Sequence, residues 1–333
     1  VKIINNCLKK NRNWAFCGSF ALGVQGLKVT GDDLDVICDY KSFKLFTHQF
    51  KDRVISTKQT ATGKQAFFNF SPTVHLIRDP VKKTKRGKIR LFNPEKIIFI
   101  KHEGLNIPLV SFEEEFAAYS FLGNKNKRQK ILAFYEQHMR PVEYFVKKNS
   151  SDYNYFHVQE VRSIAKKVAI AENANELVVD AAALLHDIGK GFGNDLNHHY
   201  IGRKIARRKL FENSFNNEFA NRVALCVLQH SGSLEGFQKL AKQRGKPPGF
   251  IPKPSTIEAK VLFDSDMLHN LSFFGIAKSL MLSFRAKDRF FDAIRNSSTW
   301  VLTEPSVFLT KTGKNLSVPQ YRACKQFFDY FLV

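Results

Sequence analysis

Residues 183–190 read Ala-Leu-Leu-His-Asp-Ile-Gly-Lys, and no other stretch constrains the fold as tightly. Three apolar residues lead into an adjacent histidine and aspartate. A neutral imidazole beside a carboxylate suits a transition metal or a Mg²⁺ or Mn²⁺ ion. Within a helix these two side chains cannot reach one ion, because neighbours i and i+1 face different ways. They can do so where a helix ends. The run therefore predicts a helix that stops around His186-Asp187, with Gly189 as its C-terminal stop. A pair alone is weak, so its meaning depends on further ligands arriving from elsewhere.

The second half supplies candidates on successive helices. Tyr155–Val161 opens a helix to about residue 171, with apolar residues at 158, 161, 164, 165 and 168 and His157 near its start. The helix at about 176–185 ends in His186-Asp187. A third opens at Asn197-His198-His199, a fourth ends at Gln229-His230, and a fifth at about 256–271 holds Asp264 and Asp266. On a helix those two aspartates point roughly 200° apart, so one of them should face a site. Arg203 and Arg207 are i,i+4 neighbours on the helix of His198, with Arg208 beside them. They share a face that can bind phosphates or serve as a solvated basic stripe.

His…His-Asp…Asp on successive helices, with the pair inside Leu-Leu-His-Asp-Ile-Gly-Lys, resembles the HD superfamily of metal-dependent phosphohydrolases over about residues 150–285. The resemblance implies His157, His186 and Asp187 as metal ligands. Asp266, in its Asp-Met-Leu context, is implied as the last ligand, with Asp264 as competitor. Some subgroups add histidines for a second metal; His198 and His230 fit those places, with His199 competing for the first. The number of ions stays open at one or two, drawn from Mn, Fe, Ni, Co or Mg. Asp187 is expected to orient the attacking water and Lys190 to stabilise phosphoryl charge.

The first half has a different pattern. Trp14–Cys17 predicts a short strand, Gly18-Ser19 a tight turn and Phe20–Leu27 a short helix. Backbone N–H groups at such a turn can hold a phosphate. Asp33-Leu34-Asp35-Val36-Ile37 alternates as a strand does, so Asp33 and Asp35 point the same way. Gly-Ser, a short helix and then Asp-x-Asp on a strand resembles the nucleotidyltransferase superfamily related to DNA polymerase β, over roughly residues 1–135. The resemblance implies Gly18 and Ser19 on the phosphate side and Asp33 and Asp35 as catalytic ligands of Mg or Mn, with Asp32 less well placed. Members carry a third carboxylate on a later strand. Here the strand Thr73–Ile77 offers His75, and Asp79 follows it, so transfer activity is open. Residues 82–90 are predicted as a basic hairpin loop, Asn93–Phe99 and Phe112–Leu122 as helices, and a further helix runs from about Gln129 to Arg140-Pro141.

The expected architecture is multidomain: an α+β nucleotidyltransferase-like domain at 1–138, then an all-α HD helical bundle at 139–333 with a C-terminal helical extension. A helix is expected near 317–332, and residues 235–254 as a long substrate-gating loop. With 52 Lys+Arg against 30 Asp+Glu, the net charge is +22. That favours a polyanionic partner, a nucleotide or RNA, although a Lys-rich coding bias gives the same excess. Cys7, Cys17, Cys38, Cys226 and Cys324 form no CxxC pair and read as reduced thiols. No apolar run reaches the ~18 residues of a membrane span, and no leader pattern opens the chain. A cytoplasmic location is expected. Three functions remain: a phosphohydrolase with a nucleotide-binding first domain, an active transferase edited by the HD site, or a degraded basic nucleic-acid-binding scaffold.

Overall fold

Residues 1–11, 13–60, 63–84, 87–90, 93–102, 104–193, 198–230 and 253–332 are described by a computed structural model. The chain forms two units, Val1–Glu136 and Gln137–Val333.

In chain order the first unit holds α1 (Lys2–Leu8), β1 (Trp14–Cys17), α2 (Gly18–Val24), β2 (Asp33–Cys38), α3 (Tyr40–Gln49), β3 (Val54–Thr60), β4 (Gly63–Phe68) and β5 (Thr73–Arg78). β6 (Val81–Thr84), β7 (Gly87–Arg90), β8 (Ile97–His102), β9 (Leu105–Val110) and α4 (Phe112–Leu122) follow. Seven strands make one mixed sheet, ordered β3-β4-β5-β2-β1-β9-β8, and β6 and β7 pair as a ribbon. The period of two sorts β2. Leu34, Val36 and Cys38 enter a core with Phe16, Phe43, Phe46, Phe68 and Leu76, which leaves Asp33 and Asp35 on the opposite face. The parallel register of β2 and β5 sets Asp33 beside Thr73 and Asp35 beside His75. The next strand sets Phe67 beside His75.

Two local expectations need correction. Residues 93–99 do not form a helix: a 3-10 turn at Pro94–Lys96 leads directly into β8. Ile97, Ile98 and Ile100 are β-branched and favour the extended backbone over a helix. The short helix after the Gly-Ser turn begins at Gly18 itself rather than at Phe20. Within the basic stretch 82–90, residues 82–84 and 87–90 pair in the β6–β7 ribbon, and residues 85–86 lie outside the described residues.

α5 (Lys125–Lys148) carries the chain from one unit to the next and does not end at Pro141. Ile131, Tyr135, Met139, Val142 and Val146 are buried, in steps of three and four across the proline. Burying Val142 and Val146 is worth roughly 1.5–3 kcal/mol each, against about 3 kcal/mol for an interior proline. The stripe therefore prevails, and the boundary between units falls inside the helix, at 136/137.

The second unit is helical: α6 (Asp152–Glu172), α7 (Glu176–Leu185), a 3-10 turn at Ile188–Gly191, α8 (His198–Glu212), α9 (Asn217–Gln229), α10 (Ile257–Asn270), α11 (Phe273–Arg285), α12 (Phe290–Val301) and α13 (Lys311–Leu332). α7 is apolar almost all round and is the buried centre of this unit. Its one half-buried polar residue inside the helix, Asp180, takes a two-pronged bond from Arg162 on α6, at 2.7 and 2.8 Å. The expected terminal helix begins at Lys311, earlier than 317, and the segment before it holds α11 and α12. Of the expected gating loop, residues 235–252 lie outside the described residues. All five cysteines are free, four of them buried. No helix among the described residues is long and apolar enough to cross a membrane.

Candidate metal centre

α7 ends at Leu185, so His186 and Asp187 occupy the turn that follows, as the adjacent pair requires. Gly189 is not a left-handed stop. A Cβ there would collide with the carbonyl of His198, the first residue of α8, and would lie 2.8 Å from the amide of Gly202. Glycine at 189 thus lets the start of α8 rest on the backbone of the His-Asp turn. That contact delivers His198.

Six side chains meet in this interior: His157 from α6, His186 and Asp187 from the turn, His198 from α8, His230 at the end of α9 and Asp266 from α10, all buried. Asp187 divides them. Its Oδ2 is 3.6 Å from Nε2 of His157 and 3.6 Å from Nε2 of His186. Its Oδ1 is 3.6 Å from Nε2 of His198 and 3.7 Å from Nε2 of His230. Asp266 Oδ1 adds to the first group, 3.2 Å from His157 Nε2. His157, His186 and Asp187 can hold one ion, and Asp187, His198 and His230 another.

Hydrogen bonds settle which ring nitrogens carry lone pairs. His186 Nδ1 donates to the Ala183 carbonyl at 2.8 Å, and His230 Nδ1 to the Val227 carbonyl at 2.7 Å. A carbonyl only accepts, so both rings, when neutral, present bare Nε2 atoms. Burial pushes His186 down to about 4, which keeps it neutral around pH 7. The Nε2 atoms of His157 and His186 stand 3.2 Å apart, and those of His198 and His230 3.1 Å. Inward-facing nitrogen pairs at this spacing, with ionised carboxylate oxygens beside them, are a donor set that fits divalent cations. Burial opposes the charge on Asp187, yet Lys190, then His186 and His230, hold its carboxyl well below the usual range. Lys190 Nζ lies 2.5 Å from Asp187 Oδ2.

The two competitors resolve. Asp264 points away from the cluster and accepts the Leu309 N–H at 2.8 Å, the Thr310 N–H at 2.7 Å and the Thr310 hydroxyl at 2.6 Å. It ties the chain before α13 to α10, and Asp266 faces the histidines. His199 is buried beside His198, ring centroids 5.3 Å apart, but is in neither ligand group. Arg203 and Arg207 share an exposed face. They lie roughly 140° and 180° round α8 from His198, which turns them away from the cluster.

His269 was not among the expected residues. Its Nδ1 is 2.8 Å from His157 Nδ1, where it can accept that ring's proton and leave Nε2 bare. Its position three residues after Asp266, one helical turn along the same face, was a legible signal.

In the first unit, Gly18 has φ +68, and a Cβ on it would collide with Asp35 Oδ2. Its N–H donates to Glu115 Oε1 at 2.6 Å, so that amide is engaged within the protein rather than available for a phosphate. The glycine is required by closeness to Asp35. Ser19 follows it, half-buried, with its side chain close to the backbone of Gly31. Burial raises Glu115 to about 7, with the Gly18 N–H opposing and Asp35 adding to the rise. Nothing in the sequence set Glu115 apart from its neighbours Glu113 and Glu114. Burial, and then Asp35, also raises Asp33. On β5, beside β2, His75 lies next to Asp35, with Nδ1 2.8 Å from Asp35 Oδ1. Asp79, past the end of β5 with φ 40, gives its N–H to the Cys38 carbonyl and is in neither this group nor the others. Asp32 is exposed and also outside the group.

Residues 154–271 match the family model of the HD domain. Over 122 residues the chain is 31% identical to a tRNA (cytidine(56)-2'-O)-methyltransferase of Thermoplasma volcanium, covering 37% of this chain and 33% of that protein. The chain thus spans roughly a third of the length of the curated relatives it matches, 33% and 40%. Among solved structures, Bacillus subtilis YpgQ is 20% identical with TM-score 0.46, covering 59% of this chain and 95% of that one. A nucleotidyltransferase candidate from Thermotoga maritima is 22% identical with TM-score 0.33, covering 41% of this chain and 90% of that one.

Proposed function

We propose that the segment matching the HD domain is a metal-dependent phosphohydrolase centre acting on a phosphate of a nucleotide or of RNA. The observation that carries this is Asp187, whose two oxygens each face a separate pair of imidazole Nε2 atoms. Two divalent ions would be held there, one by His157, His186 and Asp187 with Asp266 beside them, the other by Asp187, His198 and His230. Bound divalent ions supply an acidified water and a polarised phosphoryl oxygen. The protein's own residues do the rest. His186 and His230 are locked by backbone carbonyls, which fixes the lone pairs inward. Asp187 stays ionised beside Lys190, and the half-exposed Lys190 ammonium complements phosphoryl charge at the edge of the cluster.

The substrate class rests on the excess of Lys and Arg and on the nucleotidyltransferase-like first unit. A relative named as a tRNA methyltransferase adds support for RNA. The reading in which the first unit transfers nucleotides and the second edits the product is weaker, because His75 stands where a third carboxylate is expected.

The test is elemental analysis of purified protein, followed by assays with Mn²⁺, Ni²⁺, Co²⁺ and Mg²⁺ on nucleotides and on RNA ending in phosphate. Two ions per chain and hydrolysis abolished by His186→Ala are expected. Metal-free protein whose His186→Ala variant behaves as the parent does would sink the proposal. RNA binding that falls steeply with salt and ignores both site substitutions would favour the scaffold instead.

A further inference from the structure

We propose that the Tyr153 hydroxyl donates a hydrogen bond to an oxygen of the phosphate that reaches the HD cluster, resting on the phosphohydrolase reading for that phosphate.

Three observations converge on it. First, Tyr153 lies on α6 one turn before His157, and i,i+4 side chains share a helix face. Its ring is held there. It stacks on Phe274 of α11, centroids 5.4 Å apart and planes 14° from parallel. Phe274 in turn packs on His269, the ring behind His157, at 4.5 Å. Second, the hydroxyl is buried with no hydrogen-bond partner among the described residues. Tyr155, two residues on, shows the ordinary arrangement: its hydroxyl donates to Glu143 Oε1 at 3.2 Å. A phenol O–H withdrawn from water and left without an acceptor opposes folding, so the protein gains no stability from the Tyr153 oxygen. Its use lies in an acceptor that the substrate brings. Third, the surroundings suit an anionic acceptor. Lys278 of α11 holds its ammonium 5.9 Å from the centre of the Tyr153 ring and donates to Asn270 Oδ1 at 3.3 Å. Asn270 donates to Asp266 Oδ1 at 3.0 Å. A cation thus stands on the Tyr153 side of the cluster, as Lys190 stands beside Asp187.

The chemistry of the phenol sets its role. Burial, and then the negative charge of Asp187, push it up to about 12. The oxygen therefore keeps its proton through the neutral range and acts as a donor, not as a base. A charged phosphoryl oxygen accepts from such a donor more strongly than a neutral oxygen does, and a fixed donor of this kind holds phosphoryl charge in the transition state.

The experiment uses the full chain loaded with Mn²⁺, with inorganic phosphate as the probe. Tyr153→Phe keeps the ring on Phe274 and removes only the oxygen; Tyr155→Phe is the control. Elemental counting and far-UV circular dichroism report that both variants fold and retain their ions. By titration calorimetry, phosphate is expected to bind about tenfold more weakly or worse to Tyr153→Phe, and as in the parent to Tyr155→Phe. Without phosphate, the thermal midpoint is expected to rise in Tyr153→Phe, because an unsatisfied buried hydroxyl is gone, and not in Tyr155→Phe. On a hydrolysed substrate, kcat/KM should fall about 10²-fold in Tyr153→Phe alone. A parent that binds phosphate through Tyr153 yet hydrolyses nothing would sink the phosphohydrolase reading and leave this hydrogen bond standing. Equal phosphate affinity in the parent and Tyr153→Phe, or no phosphate bound by the parent, would overturn the proposal. So would a lower phosphate-free midpoint in Tyr153→Phe, which would assign the oxygen to the fold.

Discussion

Glu115 offers a prediction whose size follows from the fold. Its carboxyl is buried on α4 beneath the Gly18 turn, and its ordinary value of 4.5 is raised to about 7, mainly by burial. Below pH 4.5 the group is neutral in both folded and unfolded chains. As the pH rises towards 7 the unfolded chain ionises first, so the folded form binds the extra proton and stability falls with pH. Above about 7 the group is charged in both states, and the folded state carries the full penalty. A gap of about 2.5 pH units at 1.36 kcal/mol each gives about 3 kcal/mol. Glu115→Gln keeps an oxygen to accept the Gly18 N–H but cannot ionise. It is expected to abolish that loss and to leave the first unit about 3 kcal/mol more stable than the parent at pH 8. Trp14, buried in the first unit, reports on it once Trp300→Phe removes the other tryptophan, which is exposed on α12. Urea unfolding followed by Trp14 fluorescence at pH 5 and pH 8 reads the effect. At pH 5 the unfolded group is already mostly ionised, so about 2.5 kcal/mol of the penalty falls between those values, and with a slope of roughly 2 kcal/mol per molar urea the parent midpoint should fall by about 1.2 M relative to the variant. Parallel pH dependence in parent and variant would refute the assignment of the penalty to Glu115.

Three further outcomes are expected. Asp264→Ala removes an acceptor of three hydrogen bonds from Leu309 and Thr310, and should destabilise the second unit by about 3 kcal/mol with ion content unchanged; Asp266→Ala should instead lower ion content, so thermal unfolding and elemental analysis separate them. Gly189→Ala pushes a methyl group against the His198 carbonyl. It should destabilise by about 1–3 kcal/mol and lose the ion of His198 and His230 before that of His157 and His186, read as ions retained on stepwise chelation. Lys190→Met should lower turnover about 10²–10³-fold while the ions stay bound, seen in steady-state rates beside metal counts.

The sequence by itself determined the elements that rest on local rules. Alternation around Asp33 and Asp35 marked a strand and put both carboxylates on one face. The apolar run up to Leu185 marked a buried helix, and the adjacent His186-Asp187 required that helix to end there. Local rules failed where burial at a distance decides. They stopped α5 at Pro141, but the stripe through Val142 and Val146 carried it on.

Only the tertiary structure chose between Asp264 and Asp266, because their opposite directions say nothing about which side faces the histidines and which faces Thr310. It also turned Arg203 and Arg207 outward, brought His269 behind His157, and set Glu115 against Gly18. Each of these depends on which face of one element meets another, and that is fixed by packing among residues far apart in the chain. The same holds for His75. Its place on a strand was readable, but the parallel register that lays it 2.8 Å from Asp35 exists only in the sheet.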